Sequence, residues 1–237
     1  MAIKAGEDTF YQANRGIVQD GLVLNLDAGV DESYNGGTTW RDLKGGNNAS
    51  FQNMTDANYT SDNAGGISFS STNDYISGGD TSSVNGHSTI CVWYKATGVP
   101  SHNDAAGGVL FCQSNSYYLG ITTLHSWANQ TFSYGVVINQ ALRSANGTAP
   151  NNQVNFCVGL WNGSQLQIWI NGQFSTSSNY TTSPQLTSPA YQIGRWGWSS
   201  YYRYFNGLIY NIQLYNRALS GDEIAKNYNA TRHRFGV

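Results

Sequence analysis

"FNGLIYNIQLYNRALSGDEIAKNY", residues 205–228, decides how this chain is read. From Leu208 to Tyr215 it alternates, with Leu208, Tyr210, Ile212 and Leu214 on one side and Ile209, Asn211, Gln213 and Tyr215 on the other. A period of two is that of a β-strand with one face in a core. Beyond Tyr215 the period changes. Ser220 and Glu223 form the S-x-x-E of a capping box, and Leu219 and Ile224 stand where a hydrophobic staple closes, so a short helix follows the strand. Ile224, Tyr228 and Ala225 make its apolar side. Asn229 and the basic run Arg232, His233, Arg234 suit its C-terminal end, where cations meet unpaired carbonyls.

Upstream the same alternation recurs. "GLVLNLDAG" sets Leu22, Leu24 and Leu26 against Val23, Asn25 and Asp27, and "HSTICVWYKATG" sets Ile90, Val92 and Tyr94 against Cys91, Trp93 and Lys95. "FCVGLWNGSQLQIWING" carries Asn162-Gly163 and Asn171-Gly172 at the tips of alternating segments, the residues that hairpin turns require. Phe156, Val158 and Leu160 are expected to share a layer with Leu166, Ile168 and Ile170. Residues 174–190, rich in Ser, Thr and Pro, read as surface loop. Strands in sequence, no βαβ alternation, no repeat of fixed period and one terminal helix predict an all-β, two-sheet antiparallel sandwich. Residues 21–237 form its one domain, and residues 1–20 an N-terminal arm. The arm cannot build a core alone; it is either loosely ordered or laid on a partner, with Phe10 and Tyr11 as the docking pair.

The closing stretch resembles the last strand and helix of LamG-like, concanavalin A-like jelly rolls, in which F-N/D-G-x-I, a strand and Y-N-R-A-L-S-x-x-E-I recur. "TTWRDLKGGNNASFQN" and "GGISFSSTNDYISGG" are similar to two further phrases of that family, matching at Trp40, Asp42, Leu43, Gly45, Phe69, Asp74, Tyr75 and Ile76. They depart from it at Ser70, Ser71 and Asn73, where relatives often carry D-G and a second Asp. The resemblance covers roughly residues 20–235 and is loosest over 96–155. It implies that the opening strand lies beside the closing one, so that the arm and the basic run at 232–234 share one end of the molecule as a docking face. A fold of this kind hosts lectins, glycosidases, adhesion modules and virion proteins, so function must be argued from sites.

Composition narrows the partners. Charged residues make up 11% of the chain, against about a quarter in ordinary soluble domains. A net charge of -2 without a Lys/Arg cluster argues against nucleic acid. No run is apolar and long enough to span a membrane, and residues 1–20 lack a signal-peptide core, which points to a protein that is made in a host cytoplasm and stays soluble. Cys91, Cys112 and Cys157 are odd in number and lack CxxC spacing, which disfavours a disulfide framework and a zinc site; Cys91 and Cys157 read as buried thiols.

Chemistry is sparse. A retaining glycosidase needs two carboxylates about 5 to 5.5 Å apart, and laminarinase-type enzymes of the resembled fold place them as E-x-D-x-E on one strand. That pattern is absent, and the three glutamates are Glu7, Glu32 and Glu223, so no catalytic residue is assigned and the chain is read as a non-enzyme. His87, His102, His125 and His233 lack metal-ligand spacing. No cofactor is expected, with calcium the one candidate ion. Asp27, Asp74, Asp80 and Asn206 are its candidate ligands; the same residues are the usual turn formers. "IGRWGWSSYYRYF", residues 193–205, is the candidate ligand or interface segment. Its Trp196, Trp198, Tyr201, Tyr202, Arg195 and Arg203 suit a protein partner, a sugar ring or the core itself.

Two functions from different classes fit. The Y-N-R-A-L-S ending and the "TTWRDLKGGNN" phrase look like the LamG-like proteins of tailed phages of marine and cyanobacterial hosts. That likeness implies a non-catalytic capsid-decoration or fibre component on the virion surface, touching other virion proteins, further copies of itself as a homo-oligomer, and cell-surface polysaccharide. The alternative is a stand-alone carbohydrate-binding, lectin-like module.

Overall fold

The structure is a computed structural model that describes residues 16–70, 73–79, 81, 88–97, 108–113, 119–124, 130–138, 141–150, 152–182, 190–198 and 201–237. For 109, 113, 119–124, 130–138, 141–143, 196–198 and 201–203 it gives the course of the backbone alone.

Numbered along the chain, one eight-stranded sheet runs in the order β14 (Gln173–Asn179), β13 (Gln165–Ile170), β12 (Asn155–Trp161), β7 (Ser88–Ala96), β18 (Asn206–Tyr215), β5 (Gly66–Ser70), β4 (Tyr59–Thr60). β1 (Leu22–Asp27) also pairs with β18, antiparallel. The second eight-stranded sheet runs β11 (Ala141–Ala149), β10 (Gln130–Ile138), β9 (Leu119–Leu124), β8 (Val109–Gln113), β15 (Tyr191–Ile193), β6 (Tyr75–Gly78), β3 (Ala49–Gln52), β2 (Thr39–Trp40). A separate hairpin pairs β16 (Arg195–Trp198) with β17 (Tyr201–Tyr204), and among the described residues one α-helix, α1, spans Gly221–Thr231. The all-β sandwich with a C-terminal helix is thus observed, and the opening and closing strands are neighbours.

Two cores follow. Between the sheets, Trp40, Phe51, Phe69, Ile76, Tyr94, Phe111, Tyr191, Ile193, Ile209, Ile212 and Leu214 pack together. On the far face of the first sheet a second cluster joins Trp93, Phe156, Val158, Tyr210 and Tyr215 to Ile17, Val18, Leu219 and Ile224. Each large side chain so buried contributes about 1.5–3 kcal/mol. α1 therefore closes the outer face of that sheet.

Its docking is specific. Ser220 Oγ accepts from the Glu223 N–H while Glu223 Oε2 accepts from the Ser220 N–H, the reciprocal box expected from the sequence. Trp93 stacks on Phe235 at 4.2 Å and on Tyr228 at 5.7 Å, and its Nε1 donates to Thr231 Oγ1. Asn227 is fully buried on the helix face: its Oδ1 accepts from the Val18 N–H, and its Nδ2 donates to Gln213 Oε1 and Tyr215 Oη.

Three strand readings change. In β18 the register slips between Ile209 and Asn211, so Ile209, Ile212 and Leu214 face the inter-sheet core while Leu208, Tyr210 and Tyr215 face the helix. A bulge inserts one residue and reverses parity from there on. In the β12–β13 hairpin, Cys157, Gly159 and Trp161 pair with Ile170, Ile168 and Leu166; Phe156, Val158 and Leu160 lie on the helix side instead. β12 is buried on both faces, so hydrophobicity alone cannot choose its inner one. Finally, 173–179 is a strand rather than loop. Asn171 and Gly172 hold φ of 50° and 79°, a two-residue turn that folds β14 onto β13 as an exposed edge with no apolar face to betray it.

Candidate functional site

With one sheet roofed by α1, the outer face of the other is the surface to examine. Register fixes what it presents. Phe51, Ile76 and Ile193 align across β3, β6 and β15 and point into the core, so the alternate rows Ser50–Ser77–Gln192 and Gln52–Tyr75 point outward. Ser50 is exposed, and Gln52, Tyr75, Ser77 and Gln192 are half-buried. On the inner side Tyr191 crosses beneath Gly78, where any Cβ would fall 1.9 Å from the ring, and its hydroxyl donates to Asn47 O.

Arg195, the first residue of β16, folds back onto this face. Its guanidinium carbon lies 3.5 Å from the centroid of the Tyr75 ring, and Nε donates to Gln192 Oε1 at 3.2 Å. A cation flat on an aromatic face is held by the ring quadrupole. The turn that delivers it depends on Gly194, at φ 77°, where a Cβ would sit 2.4 Å from the Phe69 ring. Cys112 points to the same side but is buried beneath β16, donating its thiol to Arg195 O; burial pushes its pKa up to about 12, so it is no nucleophile. Burial raises the Cys91 and Cys157 thiols likewise.

The electrostatics are one-signed. The described strands of this sheet contain no Asp or Glu, and Arg143 in β11 is their one charged residue. Among the described residues, Asp74 and Asp42, next to these strands in sequence, are engaged within the fold. Asp74 Oδ2 accepts from the Ser70 N–H, and Asp42 takes the backbone N–H groups of Asn25, Lys44 and Asn47.

The other sequence candidates are dispersed. Trp196, Trp198, Tyr201, Tyr202 and Arg203 fall in the β16–β17 hairpin, where Trp196 is opposite Arg203 and Trp198 opposite Tyr201, with side chains outside the described set. Phe10, Tyr11 and Asp80 lie outside the described residues altogether. Asp27 is engaged by Arg234, whose side chain is 13% exposed and turns inward, away from any docking face. Asn206 pairs with Ser70, beside Asp74, whereas Asp27 pairs with Asn211, five residues further along β18 or ~17 Å. The register therefore sets Asp27 apart from Asp74 and Asn206. Among the described residues no three of His, Cys, Asp and Glu come together as a metal site. Sequence reasoning missed Gln192, Ser77, Ser50 and Gln52; the small-polar alternation in "ASFQ", "YISG" and "YQI" was the signal.

A family model described as the concanavalin A-like lectin/glucanases superfamily matches residues 70–225. The chain belongs to that superfamily. No curated protein sequence matches it. Among solved structures it is similar to domain 4 of an extracellular arabinanase from Geobacillus stearothermophilus in complex with arabinotriose: TM-score 0.65, 13% identity, 87% of this chain and 98% of that one. It also resembles Trypanosoma rangeli sialidase in complex with an inhibitor (TM-score 0.63, 18% identity, 90% of this chain and 33% of that one). A third likeness is to the receptor-binding domain of botulinum neurotoxin mosaic serotype C/D (TM-score 0.64, 14% identity, 89% and 51%). The chain thus spans a third of the sialidase and half of the toxin domain. At these identities the likenesses establish the lectin/glucanase fold.

Proposed function

We propose that this superfamily member is a non-catalytic carbohydrate-binding module that takes a glycan on the outer face of its second sheet. The observation that carries the proposal is the character of that face: Ser50, Gln52, Ser77 and Gln192 surround the Tyr75–Arg195 stack, and its strands lack carboxylates. Hydroxyl and amide groups match the donors and acceptors of a sugar, and a few fixed polar groups on a rigid sheet give orientation. Glycoside hydrolysis needs a proton-donating carboxylic acid and a second carboxylate, and the described strands of this face supply neither. The arabinotriose complex of the arabinanase domain is consistent with sugar binding on such a fold.

The test is affinity electrophoresis and calorimetry against a panel of neutral and acidic polysaccharides, with Tyr75→Ala and Gln192→Ala beside the wild type. Binding that both substitutions weaken at least tenfold, with no reducing sugar released, is the expected result. Release of reducing ends, or binding indifferent to both substitutions, overturns it. We place the module on a virion surface, in contact with other virion proteins or copies of itself, on the likeness of its Y-N-R-A-L-S ending to LamG-like phage proteins. Antibody labelling of intact particles tests that placement, and particles that stay unlabelled while soluble protein reacts would defeat it.

A further inference from the structure

A strand with a neighbour on one side only presents a row of unpaired N–H and C=O groups, and folded proteins blunt such rows by keeping them short, charged or covered. Among the described strands, β4 and β2 are two residues long, β1 is buried at five of its six positions, and β11 carries Arg143. β14 is different. It runs for seven residues, Gln173–Asn179, pairs among the described strands with β13 alone, and is exposed at five positions.

We propose that β14 is an association edge, taken by β14 of a second copy in an antiparallel, two-fold pairing that joins the first sheets of both copies into one. Such pairing is independent of glycan binding, which is proposed above for the other sheet.

Charge selects a second copy as the occupant. In a two-fold pairing a strand meets itself, so any charge on it faces its own copy, and like charges directly opposite are destabilising. From Ser144 to Gly194 the chain has no Asp, Glu, Lys, Arg or His, and its 12 basic and 14 acidic residues all lie outside that stretch. β12, β13, β14 and the turns between them are therefore neutral throughout. A charged partner finds nothing here to pair with, whereas an identical strand meets no repulsion.

Geometry agrees. Ile168, Gln167, Leu166 and Gln165 of β13 pair in unbroken register with Thr176, Ser177, Ser178 and Asn179, and the one extra residue of β14, Ser175, falls toward the turn. Four consecutive residues thus offer a regular template for a further strand. Phe174 adds an apolar contact: at 52% exposure it is the most exposed large hydrophobic side chain among the described residues, and it rests edge-on against Trp169 at 5.4 Å. With the two-fold axis at Ser177, the two Ser177 side chains stand opposite each other. Each Phe174 then crosses to the far end of the partner strand, where its ring is covered.

Sedimentation velocity of the full chain from about 5 to 500 µM tests the pairing, since a contact below ~1,200 Å² makes a weak, reversible complex. A monomer–dimer equilibrium within that range is the expected result. Ser177→Lys and Ser177→Glu should each weaken dimerisation about tenfold or more, because each puts like charges across the axis, whereas an equimolar mixture of the two should associate at least as well as the wild type. Phe174→Ser should weaken it about threefold or more. Hydrogen exchange should slow over residues 173–179 as concentration rises and stay unchanged in β4, at the other end of the sheet. Circular dichroism and melting temperature check that each variant is folded, and recovery in the mixture shows that the loss in each single variant is electrostatic. A chain that stays monomeric throughout the range, a dimer indifferent to Ser177→Lys, or a Lys–Glu mixture that fails to associate overturns the inference and leaves the carbohydrate-binding reading standing. Exchange in β14 slowed by a neutral polysaccharide, with no self-association, assigns the edge to a glycan and overturns it as well.

Discussion

Arg234 and Arg195 sit in contact with aromatic rings at opposite purposes. Arg234 is drawn in: its guanidinium donates to Asp27, to Asn63 O and to Gly65 O, closing the C-terminal turn onto β1 and onto a segment where Asn63, Ala64 and Gly65 all have positive φ. A fork with three oxygens on three sides is satisfied internally. Arg195 lies on the Tyr75 ring, and its Nε donates to Gln192 Oε1. The same side chain thus rivets a turn from within at Arg234 and lies flat on a sheet face at Arg195. Position in the sheet, not residue type, separates the two.

That contrast can be broken most forcefully at the rivet. Arg234→Ala leaves the Asp27 carboxylate and two carbonyls without their partner, which for a nearly buried pair costs about 3 kcal/mol or more. For a chain of this size a fall in melting temperature on the order of 10 °C follows. Arg234→Lys should recover little, since one ammonium cannot reach three oxygens held by a planar fork. A melting temperature unchanged by Arg234→Ala would erase the distinction.

The acid limb offers a smaller test, between the two in kind. Arg217 bonds Glu223 through both terminal nitrogens, at 2.9 and 2.6 Å, and this hydrogen bonding holds the Glu223 carboxyl down to about 2. Since the folded value lies below the unfolded one of about 4.3, the associated stability is complete above pH ~4.3 and lost as pH falls through about 2. Both side chains are about a third exposed, so the contribution is under ~1 kcal/mol. Urea midpoints measured from pH 5 to 2 should fall less steeply for Glu223→Gln than for the wild type. Smallest of all should be the effect of Arg195→Gln on stability: a shift of melting temperature within about 2 °C, as for a substitution on the outer surface of a sheet. A large loss there would make Arg195 a second rivet and blur the comparison.

How much of this was legible beforehand depends on what each residue does. The capping box at Ser220 and Glu223, the staple at Leu219 and Ile224 and the pairing of residues 22–27 with the closing strand could all be read, because local chemistry or a family phrase specifies them. The motif residues by which the chain resembles its superfamily turn out to hold the fold: Trp40 and Phe69 fill the core, and Asp42 and Asp74 cap turns. They announce architecture and are silent about ligands. The bulge in β18 escaped because a one-residue slip leaves composition unchanged. The inward turn of Arg234 escaped because two of its three partners are backbone carbonyls, which any residue supplies. The face at Tyr75 and Gln192 assembles from strands distant in sequence, and only register shows that Ser50, Ser77 and Gln192 form one row.

Helix α1, packed over Trp93 and Phe156, has a consequence for attachment. If the second sheet takes a glycan as proposed, the covered sheet leaves each copy one sheet face for it. A lone polar platform of this size holds a flexible polymer only briefly. Durable adhesion comes from arraying copies at intervals that one strand of polysaccharide can bridge, where each further contact benefits from an effective concentration in the millimolar range. On the proposed reading, the roof that stabilises one sheet makes avidity depend on how many copies are presented together.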